Sequence, residues 1–196
     1  MTKKDKAISL LNENNGYISS KIAHENGIDR KTLWRMVKLG LIERVLPGLY
    51  INVDIFPDPF FIVQHRCPKG IFSHNTALYL HGFSDRSPIK YMMTIPTGWS
   101  TKLLADKSYI FYYNRPELIK LGQTEVQTVS DNTVKVFDIE RTICDCLRYI
   151  DRLDRNLVLT GLKRYLKSDK KDSLKLLEYA TKLNIRETVH RYLEVI

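Results

Sequence analysis

Cysteine is scarce in this chain, and its arrangement argues against a disulfide framework. The 196 residues include only three cysteines, Cys67, Cys144 and Cys146. A small secreted domain stapled by disulfides has an even set, and a thiolate zinc site has pairs at short fixed spacing; neither pattern is present. We therefore expect three reduced, packed thiols.

Long apolar runs are also missing. A membrane-spanning helix needs about 20 predominantly apolar residues, and no stretch approaches that length. The basic start, Met1-Thr2-Lys3-Lys4-Asp5-Lys6, is followed closely by Asn12-Glu13-Asn14-Asn15 rather than by the apolar core of a secretory signal. The sequence predicts a cytoplasmic protein with no membrane association.

Glycine is too dispersed to build a phosphate-binding loop. The chain has no G-x-G-x-x-G, Walker A or G-x-S-x-G motif, and Gly82, Gly98, Gly122 and Gly161 are isolated from one another. These absences argue against the commonest nucleotide-dependent and hydrolytic enzymes. We expect no catalytic residues, no cofactor and no bound metal.

What the chain does have is the composition of a globular protein with a basic surplus. Hydrophobic residues make up 43% and charged residues 27%, and the net charge is +9. The length allows two modest domains. A positive surplus attracts phosphate polyanions, but by itself it supports nucleic-acid binding only weakly.

The first fifty-odd residues contain signals for five short elements. The expected elements are a helix at 4–13, a short helix from Ser19 or Ser20 to His24, a helix from Arg30 to about Leu39, and two strands flanking Pro47-Gly48. Each helix ends at a turn containing glycine or asparagine, and Asp29 is placed to cap the third. Helix, short helix, turn, helix and hairpin are the elements of a winged helix-turn-helix, so residues 1–54 are predicted to form a DNA-binding domain.

The third helix carries the most informative pattern of this domain. Leu33, Met36 and Val37 share an apolar face that is able to dock on the first two helices. The residues on the opposite arc, with one more on the hairpin, are the predicted DNA-binding set: Arg30, Lys31, Trp34, Arg35, Lys38 and Arg44. A charged helix face often does no more than contact solvent, and the glycine turn and the hairpin are what favour DNA binding here. Trp34 is as typical of packing, against the hairpin, as of a nucleic-acid contact.

Two prolines within residues 52–60 mark a boundary, because proline continues neither a helix nor a strand ladder. A second domain is predicted over residues 60–196. Its expected elements are a helix or strand at 61–67, a helix 75–81 capped by Ser73, strands near 91–95, 109–113 and 127–137, and helices from Asp138 and near 154–167, 172–183 and 185–195. The predicted fold class is α+β, with a winged helix-turn-helix followed by a small sheet and a C-terminal helical bundle.

Several stretches resemble one known family. They are residues 16–19 (GYIS), 27–28 (GI), 40–50 (GLIERVLPGLY), 73–85 (SHNTALYLHGFSD), 94–98 (TIPTG) and 139–145 (IERTICD). Together they are similar to the AbiEi antitoxins of type IV, abortive-infection toxin–antitoxin systems. The resemblance covers most of residues 15–150, and the segment from His74 to Asp85 is its most specific part.

This resemblance implies a function for each domain. It implies that the N-terminal domain binds inverted repeats in its own promoter and represses the operon. On paired repeats, neighbouring copies of the chain could also contact one another. It implies that the C-terminal domain counters a nucleotidyltransferase-like AbiEii toxin without forming a stable complex. The motif residues that match are His74, Thr76, His81, Asp85, Arg141 and Asp145.

The same polar residues, with Glu140, are where an enzyme site would be sought. His74 and His81 are able to share a helix face, but zinc needs three or four ligands. We interpret the set as an internal polar network, since buried charges need partners. Two alternatives stay open: a winged-helix regulator whose second domain binds an effector, and a DNA-targeted nuclease, for which Asp131 and Lys135 are weakly placed.

Overall fold

A computed structural model describes residues 2–101 and 108–195 of the chain. Contacts between residues divide the chain into two compact units. The N-terminal unit is Met1–Arg66 with Gln127–Asn132, and the C-terminal unit is Cys67–Val126 with Thr133–Ile196. The fold class is mixed α+β, as predicted, and each unit has its own sheet.

The N-terminal unit contains four helices and a three-stranded antiparallel sheet. Its elements are α1 (Lys3–Glu13), β1 (Tyr17–Ser19), α2 (Ser20–Glu25), α3 (Arg30–Lys38), β2 (Ile42–Leu46), β3 (Leu49–Asn52) and α4 (Pro59–Arg66). The strand order is β1-β3-β2. This is the predicted winged helix-turn-helix order, with α3 in the position of the recognition helix and the β2–β3 hairpin as the wing.

Local capping explains where these helices begin. Thr2 and Asp5 form a reciprocal capping box on α1, and the Ser19 hydroxyl accepts a hydrogen bond from the Ile22 amide of α2. The helices then pack on one apolar core, whose buried members are Ala7, Leu11, Ile18, Ala23, Ile28, Leu33, Met36 and Ile42.

The segment after the wing is more ordered than its two prolines suggested. Pro59 is the first residue of α4, where a missing N–H costs nothing. The buried Asp58 accepts hydrogen bonds from the Phe60 and Phe61 amides of this helix, and from the side chains of Thr128 and Asn132. These contacts place α4 and residues 127–132 in the N-terminal unit, whereas the sequence suggested a second domain starting at residue 60.

In its described residues, the C-terminal unit combines a mixed five-stranded sheet with six α-helices. Its elements are β4 (Ile71–Phe72), α5 (His74–Leu80), β5 (Tyr91–Pro96), β6 (Tyr109–Asn114), α6 (Pro116–Ile119), β7 (Gln123–Gln127), β8 (Thr133–Phe137), α7 (Ile139–Arg148), α8 (Arg155–Lys167), α9 (Ser173–Lys182) and α10 (Arg186–Val195). The order is β6-β5-β4-β8-β7, with β4 antiparallel to β5, and with β4–β8 and β5–β6 parallel. Of the strand expected near 127–137, only β8 at 133–137 and Gln127 at the end of β7 are extended; residues 128–132 form a turn, and β7 begins earlier than expected, at Gln123.

Helix α7 is the centre of this unit. Every residue from Ile139 to Leu147 is buried, and the helix reaches solvent at its last residue, Arg148. The sequence predicted only one apolar face, because the helix also carries Glu140, Arg141 and Asp145. Around it lie the other buried apolar residues of the unit, including Leu78, Val158, Leu162, Leu176 and Val189.

Two local predictions in this unit are wrong. The spacing of Leu174, Leu176 and Leu177 in the helix near 172–183 predicts that all three face inward, but Leu174 is 82% exposed. Ser73 precedes α5 as expected, but its hydroxyl makes no capping bond with that helix. It instead accepts a hydrogen bond from the Thr94 hydroxyl at 2.9 Å and contacts the His74 ring at the same distance.

Two further expectations concern the three cysteines and membrane-spanning helices. Cys67, Cys144 and Cys146 are buried thiols, and burial raises the pKa of Cys144 to about 12. Over residues 2–101 and 108–195, no helix combines the length and apolarity needed to cross a bilayer.

Candidate nucleic-acid interface

Helix α3 is anchored at its start and along one face. The Asp29 carboxylate accepts hydrogen bonds from the Thr32 amide at 2.8 Å and from the Lys3 ammonium at 2.6 Å. These bonds, the one from Lys3 first, hold the pKa of Asp29 below its usual range. Leu33 and Met36 are buried, so the helix is fixed in rotation by the core as well as at its N-terminus.

The opposite face of α3 presents positive charge to solvent. Its exposed residues are Arg30, Lys31, Trp34, Arg35 and Lys38, and α3 contains no acidic residue. Within the part of the chain that the structure describes, none of the four cations forms an ion pair with a carboxylate. Their charge is therefore not neutralised within the protein and is available to phosphates.

Trp34 is largely exposed on this face. Its side chain is 59% exposed, and the Lys38 ammonium lies 5.6 Å from the centre of its ring. An exposed aromatic ring beside a cation on a well-packed helix is able to contact sugar or base edges. The sequence left its role open between packing and contact, and the exposed ring is accessible for contact.

The wing is a tight hairpin. Leu46 pairs with Leu49, so Pro47 and Gly48 form the connection, and Gly48 has φ +83°. That angle is close to the +80° of the third residue of a type II turn, a conformation that favours glycine. The Gly48 carbonyl accepts a hydrogen bond from the Ser20 amide at 2.7 Å, which ties the turn to the start of α2. Arg44 is exposed on β2 of this hairpin.

We expect Gly48→Val to weaken DNA binding about fivefold or more while the chain stays folded. A β-branched residue at this φ costs roughly 1–3 kcal/mol of backbone strain, and the hairpin relieves it by changing the turn. Gel-shift titration measures the affinity and thermal melting measures the fold. Gly98→Val is the matched control, because Gly98 has φ +88° but lies outside the wing. Affinity within twofold of wild type would show that the turn does not position a DNA contact.

The six motif residues of the C-terminal unit do not converge on one open site. Thr76 accepts a hydrogen bond from the Met92 amide at 2.9 Å, and the His81 ring contacts the Phe137 carbonyl at 2.7 Å. Asp85 is paired with Arg164 on the surface. Each of these bonds joins α5, or the turn after it, to a different element; those of Thr76 and His81 are internal, whereas the Asp85 pair is exposed.

Arg141 and Asp145 form the buried centre of that network. The Arg141 side chain is completely buried, and its Nε donates to Asp145 at 3.0 Å. The same guanidinium donates to the carbonyls of Leu118 and Leu121 and lies 4.4 Å from the ring centre of Phe137. Burial raises the pKa of Asp145, and the neighbouring Arg141 opposes that effect. The pair ties α7 to α6 and to the turn after it.

His74 is buried beside this centre in an uncommon backbone conformation. Its φ is +51°, and its ring stacks on Tyr112 with the ring centres 3.6 Å apart. Within the described residues, its Nε2 has no hydrogen-bond partner. Burial lowers the pKa of His74 to about 3, and the charges of Arg141 and Arg148 act in the same direction. The ring is therefore neutral at physiological pH.

This depressed pKa predicts a loss of stability in mild acid. The unfolded chain takes up a proton at His74 below pH 6.5, whereas the folded chain does not until near pH 3. The contribution of the neutral His74 ring to the free energy of unfolding is fully present above pH 6.5. It falls by about 2 kcal/mol between pH 7 and pH 5. Urea denaturation at pH 7 and at pH 5 measures the free energy of unfolding of each protein. The decrease between the two pH values should be smaller for His74→Gln than for wild type or for His190→Gln, the control at an exposed site. Equal differences in all three proteins would contradict the prediction.

Sequence reasoning missed several partners of the network. Ser73, Tyr112 and Asp138 are each bonded or stacked with motif residues or their neighbours, and Lys175 pairs with Asp138 and Glu140. The helical pattern was expected to begin at Asp138, but no local signal connects that residue with a lysine more than thirty residues away. In the described residues, no group of three or more His, Cys, Asp or Glu side chains is arranged to hold a metal ion.

Comparison with known proteins shows the fold and leaves the family as a prediction. No family model and no curated protein matches the chain. Among solved structures, the chain is similar to the crystal structure of RV2827C protein from Mycobacterium tuberculosis, with a TM-score of 0.53 and 8% sequence identity. The match covers 96% of this chain and 77% of that one. At this identity the likeness demonstrates a shared α+β fold.

Proposed function

We propose that this chain is a sequence-specific DNA-binding repressor of its own operon and the antitoxin of a type IV toxin–antitoxin system. The observation that carries the first half is the exposed face of α3, where four cations without ion-pair partners in the described residues surround Trp34. A well-packed helix with such a face, next to a wing, has the geometry that enters a DNA major groove.

The fixed core face of α3 supports sequence-specific binding rather than charge attraction alone. Leu33 and Met36 lock the rotation of the helix, so Lys31 and Arg35 are presented in a constant direction. Arginine forms bidentate hydrogen bonds with guanine edges, and lysine contacts guanine or phosphate. Two copies on inverted repeats would place two such helices on one operator.

The test of repression uses duplex DNA from upstream of the gene and a scrambled duplex of equal length. We expect gel shifts to show saturable binding to the upstream duplex, with at least tenfold preference over the scrambled one and a steep salt dependence. A reporter driven by the same segment should be repressed by the wild-type chain. Equal affinity for both duplexes would reject the sequence-specific repressor.

The antitoxin half of the proposal is supported by the resemblance of residues 73–85 and 139–145 to AbiEi antitoxins. In the C-terminal unit the motif residues are engaged in internal contacts: Arg141 with Asp145, His81 with Phe137, and Thr76 with Met92. We propose that this unit has no catalytic activity of its own. Its functional partner would be a nucleotidyltransferase-like toxin, countered without a stable complex, in the cytoplasm.

Separating the two functions tests their assignment to the two units. The full-length variant with alanine at Lys31, Arg35 and Lys38 is expected to derepress the reporter but still protect cells that express the proposed nucleotidyltransferase-like toxin. Growth and reporter signal are read in the same strains. Loss of protection together with repression would show that protection acts through the promoter, and the proposed division would be wrong.

A further inference from the structure

A cavity in the C-terminal unit has the chemistry of an anion site. It has a volume of about 480 Å³ and is lined by residues from the end of α7, the start of α8 and one face of α10. Arg148, Arg155 and Arg191 come from these three helices, and one carboxylate, Asp151, also lines the cavity. The lining therefore carries an excess of positive charge contributed by three separate elements.

The three arginines are available to a ligand. All three are exposed, and over residues 2–101 and 108–195 none of them forms an ion pair or donates a hydrogen bond to another residue. Elsewhere in the same unit the arginines Arg86, Arg141 and Arg164 are each bonded to an aspartate. Guanidinium groups pair in bidentate fashion with phosphate, so three that face one cavity favour a ligand with more than one phosphate.

The rest of the lining distinguishes a small ligand from a nucleic-acid backbone. Leu147, Ile150 and Ile185 also line the cavity but are nearly buried. The aromatic surface of the cavity comes from Tyr192, with the Arg155 guanidinium 5.9 Å from its ring centre. A nucleotide base stacks on an aromatic ring, whereas a sugar–phosphate backbone does not. The tyrosine therefore favours a nucleotide over a contact with phosphates alone. The volume lies within the roughly 300–1,000 Å³ that is usual for small-ligand pockets.

We propose that this cavity binds a nucleoside polyphosphate, with its phosphates on Arg148, Arg155 and Arg191 and its base against Tyr192. The site goes beyond the proposed repressor and antitoxin functions, and it gives the C-terminal unit a ligand of defined chemistry. Binding needs no catalytic step. It is separate from the α3 face, so it can be measured with no DNA present.

The experiment is a fluorescence-anisotropy titration of full-length protein with a fluorescent ATP analogue, followed by competition with ATP, adenosine and inorganic triphosphate. We expect saturable binding that ATP displaces best. Arg191→Ala and Arg155→Ala each remove a charged hydrogen bond between a guanidinium and a phosphate of the ligand. Each should therefore weaken binding about tenfold. Arg186→Ala, also exposed on α10 but outside the cavity, is the matched control and should bind as wild type does.

Tyr192→Leu tests the stacking position, and it should weaken competition by ATP but not by triphosphate. No saturable binding at millimolar ATP would overturn the proposal, and so would equal affinity of wild type and the Arg191 and Arg155 variants. If inorganic triphosphate competes as well as ATP does, the base and sugar contribute nothing to binding, and the ligand is not a nucleotide. If Arg191→Ala weakens binding to the upstream duplex and ATP does not compete with that duplex, the cavity contacts DNA and the proposal fails. Arg155, Arg186 and Arg191 are exposed, so their alanine variants should stay folded, whereas Tyr192 is partly buried against the core. Thermal melting checks the fold of every variant.

Discussion

Alanine at Lys31, Arg35 and Lys38 together is expected to lower affinity for the upstream duplex by about 100-fold or more. An arginine that reads a base contributes roughly 1–3 kcal/mol, and each lost phosphate contact adds to that. The salt dependence of binding should also become less steep, by about 0.9 in the logarithmic slope for each phosphate contact removed. Gel-shift titrations over a series of salt concentrations measure both quantities.

The three positions are suitable for this test because they are exposed. Their side chains do not contribute to the α3 core, which consists of Leu33, Met36 and their neighbours, so thermal stability should be preserved. The control is alanine at Lys163, Lys167 and Lys170, which are also exposed and remove the same charge from the C-terminal unit. If both triple variants lose affinity equally, net charge rather than α3 is responsible, and the proposed interface is wrong.

Arg141→Ala is expected to destabilise the C-terminal unit by about 3–5 kcal/mol. The substitution leaves the Asp145 carboxylate buried without its guanidinium, and it removes the donors of the Leu118 and Leu121 carbonyls. A loss of this size is a large fraction of the roughly 5–15 kcal/mol that keeps a domain folded. Urea denaturation followed by circular dichroism measures the change in the free energy of unfolding.

Two further variants separate the buried pair from its surroundings. Replacing both partners, as Arg141→Met with Asp145→Leu, removes the orphaned charge and should recover part of the lost stability. Arg164→Ala breaks an exposed pair with Asp85 and should barely change the melting temperature. If Arg141→Ala is as mild as Arg164→Ala, the Arg141 network does not hold the unit together.

The candidate interface was predictable from sequence because its signals are local. Ser19 and Asp29 cap helices through residues three positions away, and Pro47-Gly48 sets a turn between adjacent strands. The apolar face of α3 follows from helical periodicity within nine residues. Since the order of short elements identifies a winged helix-turn-helix, the exposed cationic face of α3 could be named residue by residue.

Burial that depends on distant elements was not predictable in the same way. Periodicity gave α7 one inner face, yet Glu140, Arg141 and Asp145 are also inside because α6, α8 and α9 bring partners to them. Asp58 looked like part of a linker and is buried by Thr128 and Asn132, some seventy residues further along the chain. The convergence of Arg148, Arg155 and Arg191 on one cavity is of the same kind, since three helices contribute to it.

The sequence by itself therefore determined the winged helix-turn-helix, the α+β class and most helix starts, because caps, turns and periodicity act over a few residues. Only the tertiary structure decided which side chains lose contact with water: α4 as a helix, both faces of α7 inside, Leu174 outside, and Trp34 exposed. Whether a side chain is buried depends on what packs over it, and those packing partners come from elsewhere in the chain.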